Sequence, residues 1–225
     1  MLKRISLLLL TLAWTGVVQA APISLFEDDF ESESAAGSVL NYNTFTNWDV
    51  ISGTVDLISS GDYSINCAGG GGFCVDSDGS TSDAGRMATK DTFTMTGGNL
   101  YTLFVDVSGN QRDSNADQFQ FGLTPSGDPS TDLENVTLLS VTGDAYTTQS
   151  LGIDLTALGD SFTRENRLFL QGIGTDNVGV VVDNVRFECT RGCDDGTPSV
   201  PAPAPLLLLA TGLIGLGITL RRQSS

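Results

Sequence analysis

Between residues 25 and 187 the chain alternates short apolar runs with clusters of Gly, Asp and Ser, and no run keeps the 3.6-residue period of an amphipathic helix. The runs read as strands over 25–31, 54–59, 73–78, 88–95, 100–108, 117–123, 135–141, 147–155, 167–173 and 178–187. Alternation is cleanest at Tyr101, Leu103, Val105 and Val107, and again at Phe119, Phe121 and Leu123. These side chains point to one buried face, while Thr102, Asp106, Gln118 and Gln120 point elsewhere. A helical turn is expected only over 157–162. Many short strands joined by Gly/Asp turns, without an internal repeat, predict an all-β sandwich rather than a solenoid or propeller.

The ends follow a different pattern. Lys3 and Arg4 precede the apolar run Ile5–Leu12, and Val18-Gln19-Ala20 offers small residues to a peptidase, so residues 1–20 read as a signal peptide cut after Ala20. Near the other end, prolines 201, 203 and 205 precede the uncharged stretch 206–220, which Arg221 and Arg222 close. That stretch of 15 residues, ~22 Å as a helix, reads as a short transmembrane helix, below the ~20 residues of a full span. The arginines place 221–225 as a basic cytoplasmic tail and the acidic domain outside. The expected organisation is thus an exported domain over 21–190 and a Pro-rich linker over 191–205.

Proline hinge, greasy helix and terminal arginines, in that order, resemble the PEP-CTERM family of exported proteins of Gram-negative bacteria. Val200, Pro201, Ala202, Pro203 and Ala204 occupy the motif and are similar to its VPLPA variant, with alanine where the common form has glutamate. The resemblance implies an inner-membrane intermediate, processing by an exosortase-type membrane enzyme, and release into the cell envelope or extracellular matrix.

Charge narrows the partners. The chain carries 27 acidic and 11 basic residues. Lys3, Arg4, Arg221 and Arg222 lie in the two ends, so the middle is more acidic than the net charge of −16. Such a surface repels phosphate backbones and excludes nucleic acid as a partner. The sequence has no histidine, which removes Ser-His-Asp and Cys-His nucleophiles and the common histidine metal centres, and no catalytic residue is assigned. Cys67, Cys74, Cys189 and Cys193 allow three pairings. Local closure, Cys67 to Cys74 and Cys189 to Cys193, is expected in an oxidising compartment. The phrase VDSDGST (75–81) lacks EF-hand spacing and reads as a solvated hairpin turn.

The phrases NWDVISGTVDLI (47–58), VDSDGST (75–81), TGGNLYTLFVDVSGNQR (96–112) and VVDNVRF (181–187) resemble carbohydrate-binding-module and galactose-binding-like jelly rolls. In those, first and last strands lie side by side, and a structural calcium often sits between the termini. The resemblance therefore implies a calcium site of Asp29 and Glu31, on one face of the first strand, with Asp183 across from them. Sugar stacking needs exposed aromatics, and the candidates are Tyr42, Tyr63 and Trp48. The leading expectation is a non-enzymatic jelly roll that contacts polysaccharide. A structural or adhesive protein without a sugar site and a polysaccharide-cleaving enzyme with paired carboxylates stay open as alternatives.

Overall fold

The computed structural model describes residues 21–193, apart from 34, 113–114, 133, 136–138 and 176. The expected signal peptide, the expected sorting motif from Val200 to Ala204, the apolar stretch and the basic tail lie outside the described residues. Among the described residues no helix is long and apolar enough to cross a membrane.

Thirteen strands are described: β1 (Ile23–Asp28), β2 (Trp48–Ser52), β3 (Asp56–Ser59), β4 (Phe73–Asp76), β5 (Arg86–Thr89), β6 (Phe93–Thr96), β7 (Leu100–Ser108), β8 (Asp117–Pro125), β9 (Glu134–Asn135), β10 (Leu139–Val141), β11 (Thr147–Asp154), β12 (Thr163–Ile173) and β13 (Val181–Arg191). They form two antiparallel sheets. The first runs β11-β7-β13-β4-β3, with β1 also on β13; the second runs β10-β8-β12-β5-β2, with β6 on β12 and β9 on β8. The first and last strands are neighbours, with Glu27 across from Arg186 and Asp28 across from Val185. The all-β sandwich expected from the sequence is therefore present.

The alternating strands do what their period dictates. Tyr101, Leu103, Val105 and Val107 of β7 meet Phe119, Phe121 and Leu123 of β8 in one core, with Val182, Val185 and Phe187 of β13 and Leu168 and Leu170 of β12. A fully buried side chain of this size contributes ~1.5–3 kcal/mol, so these two strand pairs supply much of the stability. A second, smaller cluster of Ile58, Ile65, Cys67, Cys74 and Val181 lies apart from it. Both local disulfides form: Cys67 to Cys74 and Cys189 to Cys193, with Cα separations of 5.4 and 6.0 Å.

Several boundaries differ from expectation. The first strand stops at Asp28 rather than residue 31, because Phe30 is buried with a left-handed φ of 58° and Asp28 Oδ1 accepts its N–H. The run 88–95 is two strands, separated by a bend at 90–91 where Asp91 O accepts the Thr89 hydroxyl. β2 was absent from the expected strands. It is only five residues long and joins the second sheet, whereas β3 joins the first, so the chain crosses between sheets at Gly53. Gly53 has a φ of +62°, and a Cβ there would stand 2.1 Å from Ala84 O. Residues 157–162 form turns, not a helix, with the Phe162 N–H bonded to Gly159 O. β13 extends to Arg191, and the compact unit runs to Cys193.

Candidate functional site: the seam of the first and last strands

A cleft of about 410 Å³ opens along the seam between β1 and β13, lined by Glu27, Asp28, Asp29, Asn184, Val185 and Arg186. Its shape comes from an irregularity in β13. The register against β7 shifts between Asp183 and Arg186, and Asn184 takes a φ of 46° within that bulge. Bulges re-aim side chains, and here Asn184 and Arg186 turn to solvent while Val185 stays in the core.

The polar groups of the cleft differ in freedom. Asp28 is 5% exposed, and its Oδ2 accepts the Trp48 indole N–H at 2.8 Å and the Asn47 amide at 3.1 Å. Burial raises its pKa, against those hydrogen bonds. It is a structural carboxylate that orients Trp48. Arg186 lies across the Phe104 ring with its guanidinium carbon 4.6 Å from the centroid, and Nε sits 2.6 Å from a Glu188 carboxylate oxygen. Phe104, Arg186 and Glu27 follow one another across β7, β13 and β1 in a single register row. Beside that row, Asp106 accepts hydrogen bonds from Thr148 at 2.6 Å and Asn184 at 3.0 Å.

Above the cleft, the loop closed by Cys67 and Cys74 is held at both ends. Glu31 Oε1 accepts the Phe73 N–H at 2.8 Å, and Asp183 Oδ2 accepts the Ala68 N–H at 2.9 Å. Burial pushes Asp183 up to about 7, helped by the charges of Glu31 and Asp106 and opposed by the Asn184 and Ala68 N–H groups. Burial also raises Tyr146, whose hydroxyl donates to Asn66 O, with Asp183 and Asp106 adding to the effect.

The structure treats the expected calcium trio unevenly. Glu31 and Asp183 interact, but Asp29 and Glu31 share no strand face, because β1 has already ended; Asp29 Oδ1 accepts the Glu31 N–H in a turn. Among the described residues no three Asp, Glu, Cys or His side chains form a set that could hold a metal ion. The aromatic candidates also separate. Trp48 is wholly buried against Phe26 and Phe30, so its ring offers no face to a sugar. Tyr42 is half-buried, edge-on to Phe45 at 4.6 Å, and donates to Glu33. Tyr63 alone of the three is open, 49% exposed in a short turn.

Sequence reasoning passed over Glu27, Asn184, Arg186 and Phe104. Phe104 had a readable signal: an aromatic on the polar phase of β7, between Thr102 and Asp106. The bulge that presents Asn184 and Arg186 had none. VDSDGST requires a correction too, since Asp76, Ser77 and Asp78 are buried rather than solvated. Burial pushes Asp76 up to about 7, with Asp56 and Asp78 adding and two backbone N–H groups opposing.

No protein-family model matches the chain, and no curated protein matches it. Solved structures do. A cyclase from Fischerella sp. TAU in complex with 4-(1H-indol-3-yl)butan-2-one is similar with a TM-score of 0.54 at 16% identity, over 77% of this chain and 100% of that one. The CBM22-1 xylan-binding domain of Paenibacillus barcinonensis Xyn10C gives 0.46 at 12% identity, over 78% and 100%. TmCBM61 in complex with β-1,4-galactotriose gives 0.42 at 12% identity, over 63% and 88%. At such identities the likeness to the cyclase establishes a shared β-sandwich and says nothing of what this chain binds.

Proposed function

We propose that this is an exported, non-enzymatic carbohydrate-contacting module, delivered through its tail by an exosortase-type membrane enzyme to the envelope or exopolysaccharide matrix. The observation that supports sugar contact is the seam cleft, where the Arg186 guanidinium lies on the half-buried Phe104 ring beside Glu27 and Asn184. Sugars are held by paired donors and acceptors set against an apolar surface, and that is what this row offers. The two disulfides fit an oxidising, extracytoplasmic destination. The acidic surface favours neutral glycans over acidic ones.

Affinity electrophoresis and calorimetry on neutral and acidic polysaccharides test the proposal. Binding is expected to be weak, Kd about 10⁻⁵–10⁻³ M, and Arg186→Ala should weaken it at least tenfold. Loss in Tyr63→Ala with Arg186→Ala unchanged would move the contact to the 62–64 turn. No retardation on any polysaccharide would favour a structural or adhesive role, and release of reducing sugar would establish cleavage.

A further inference from the structure

At the end of β4, three consecutive residues put oxygen-bearing side chains out of reach of water. Asp76 and Asp78 are each 1% exposed and Ser77 is 4%. Asp76 stands directly across from Asp56 of β3. Asp56 is fully engaged, accepting the Asn41 N–H, the Ser80 N–H and the Ser80 hydroxyl. Asp76 is only half engaged. Its Oδ1 accepts the Asp78 N–H at 3.1 Å and the Gly179 N–H at 2.8 Å, whereas Oδ2 is buried without a hydrogen-bond partner, as is Ser77 Oγ. A buried acceptor left in that state costs ~1–3 kcal/mol, and more when it is charged.

Three glycines come close to Ser77 and Asp78. A Cβ on Gly172 would stand 2.6 Å from Asp78 Oδ1, 2.6 Å from Ser77 O and 2.9 Å from Ser77 Oγ. One on Gly174 would stand 2.0 Å from Asp78 Oδ2, and one on Gly179 2.9 Å from the Asp78 carboxyl carbon. Glycines on three sides therefore admit the Asp78 carboxylate, and oxygens of two adjacent residues converge beside Gly172. A buried, all-oxygen donor set with negative charge suits a hard divalent cation, and calcium accepts carboxylate, hydroxyl and carbonyl oxygens together in flexible geometry. Such a set needs fewer than three carboxylates, in keeping with the absence of a three-acid cluster among the described residues.

We propose that Asp76, Ser77 and Asp78, backed by Gly172, Gly174 and Gly179, hold one calcium ion. The ion ties the end of β4, in the first sheet, to the connection that leaves β12 of the second sheet and enters β13. It is a staple between the two sheets, separate from the Glu31 and Asp183 clamp on the disulfide loop.

The test uses the full chain, stripped with a chelator and dialysed, then titrated with calcium chloride by calorimetry and followed by thermal melts, with bound calcium counted by metal analysis. One calcium per chain and a melting temperature that climbs with calcium concentration are expected. Asp76→Asn should weaken the affinity at least tenfold, while Asp183→Asn leaves it unchanged. Should Asp76→Asn fail to fold, Ser77→Ala carries the test, with a several-fold loss of affinity expected and the fold retained. Absence of calcium uptake overturns the proposal, as does wild-type uptake in Ser77→Ala and any folded Asp76→Asn. Loss of uptake in Asp183→Asn alone overturns it too, by placing the ion at the terminal seam.

Discussion

Two acidic regions of the first sheet carry similar side chains under different conditions. At the terminal seam, Glu31 is exposed, and Glu31 and Asp183 each accept a backbone N–H from an end of the disulfide loop. At the end of β4, Asp76 is almost wholly enclosed and one of its oxygens has no hydrogen bond. The seam acids hold a loop through the N–H groups they accept; Asp76 has one carboxyl oxygen that the fold leaves without a hydrogen bond. Carboxylate count does not separate the two regions. What separates them is whether a donor or water meets each oxygen.

The largest expected effect is on pH, and Asp183 at the seam shares it with Asp76. A raised carboxyl pKa means that the folded protein holds the proton more tightly than the unfolded chain, so the contribution is full below about 4 and is lost as pH rises toward 7. With chelator present, the Asp76 contribution should fall by on the order of 2–4 kcal/mol across that window. Urea melts at a series of pH values check this, as the difference between wild type and Asp76→Asn; a pH-independent difference would mean that Asp76 is not held protonated. The next effect is at the seam, where opening the Cys67 to Cys74 bridge by a double Cys→Ser change should cost about 2–3 kcal/mol. Glu31→Gln in the reduced background should then matter less than in the oxidised one, as differential scanning calorimetry would show.

Smaller effects are expected at glycines, one in the β4 cradle and one in open space. Gly172→Ala should cost about 1–3 kcal/mol, because its methyl group meets oxygens locked in the interior. Gly37→Ala has nothing within 4 Å and should be close to neutral. Guanidinium melts of the two variants decide this, and equal costs would mean that the β4 cradle relaxes freely. The smallest effect concerns the tail: intact-mass analysis of protein from the producing cell should show an end near Pro201–Pro205. Retention of Arg221 and Arg222 would mean a permanent anchor instead.

The sandwich was readable wherever a strand is half-buried and long. β7 and β8 show it, since a period of two over Tyr101 to Val107 and Phe119 to Leu123 has one physical solution. The pairing of β1 with β13 came from resemblance, not from period. Reading failed where a distant segment decides. Nothing within VDSDGST tells that Gly172, Gly174 and Gly179, a hundred positions later, will pack against it. Phe30 behaved likewise: its left-handed backbone is imposed by burial and by Asp28, and it displaced Asp29 and Glu31 from the strand face expected for them. The site residues at the seam were hidden for the same reason, because a bulge is a property of the pair of strands.

The place of β13 in the first sheet has a consequence in time as well as in space. It pairs with β7 along one edge and with β4 and β1 along the other, so the last described strand is the one that joins the rest of its sheet. A chain synthesised from its N-terminus cannot complete that sheet until residues 181–191 are made, and its sequence-distant pairings make closure slow relative to local structure. The first sheet therefore stays open until the last of its described strands is available. It also means that shortening the chain before Val181 would remove the centre of the first sheet rather than trim its end.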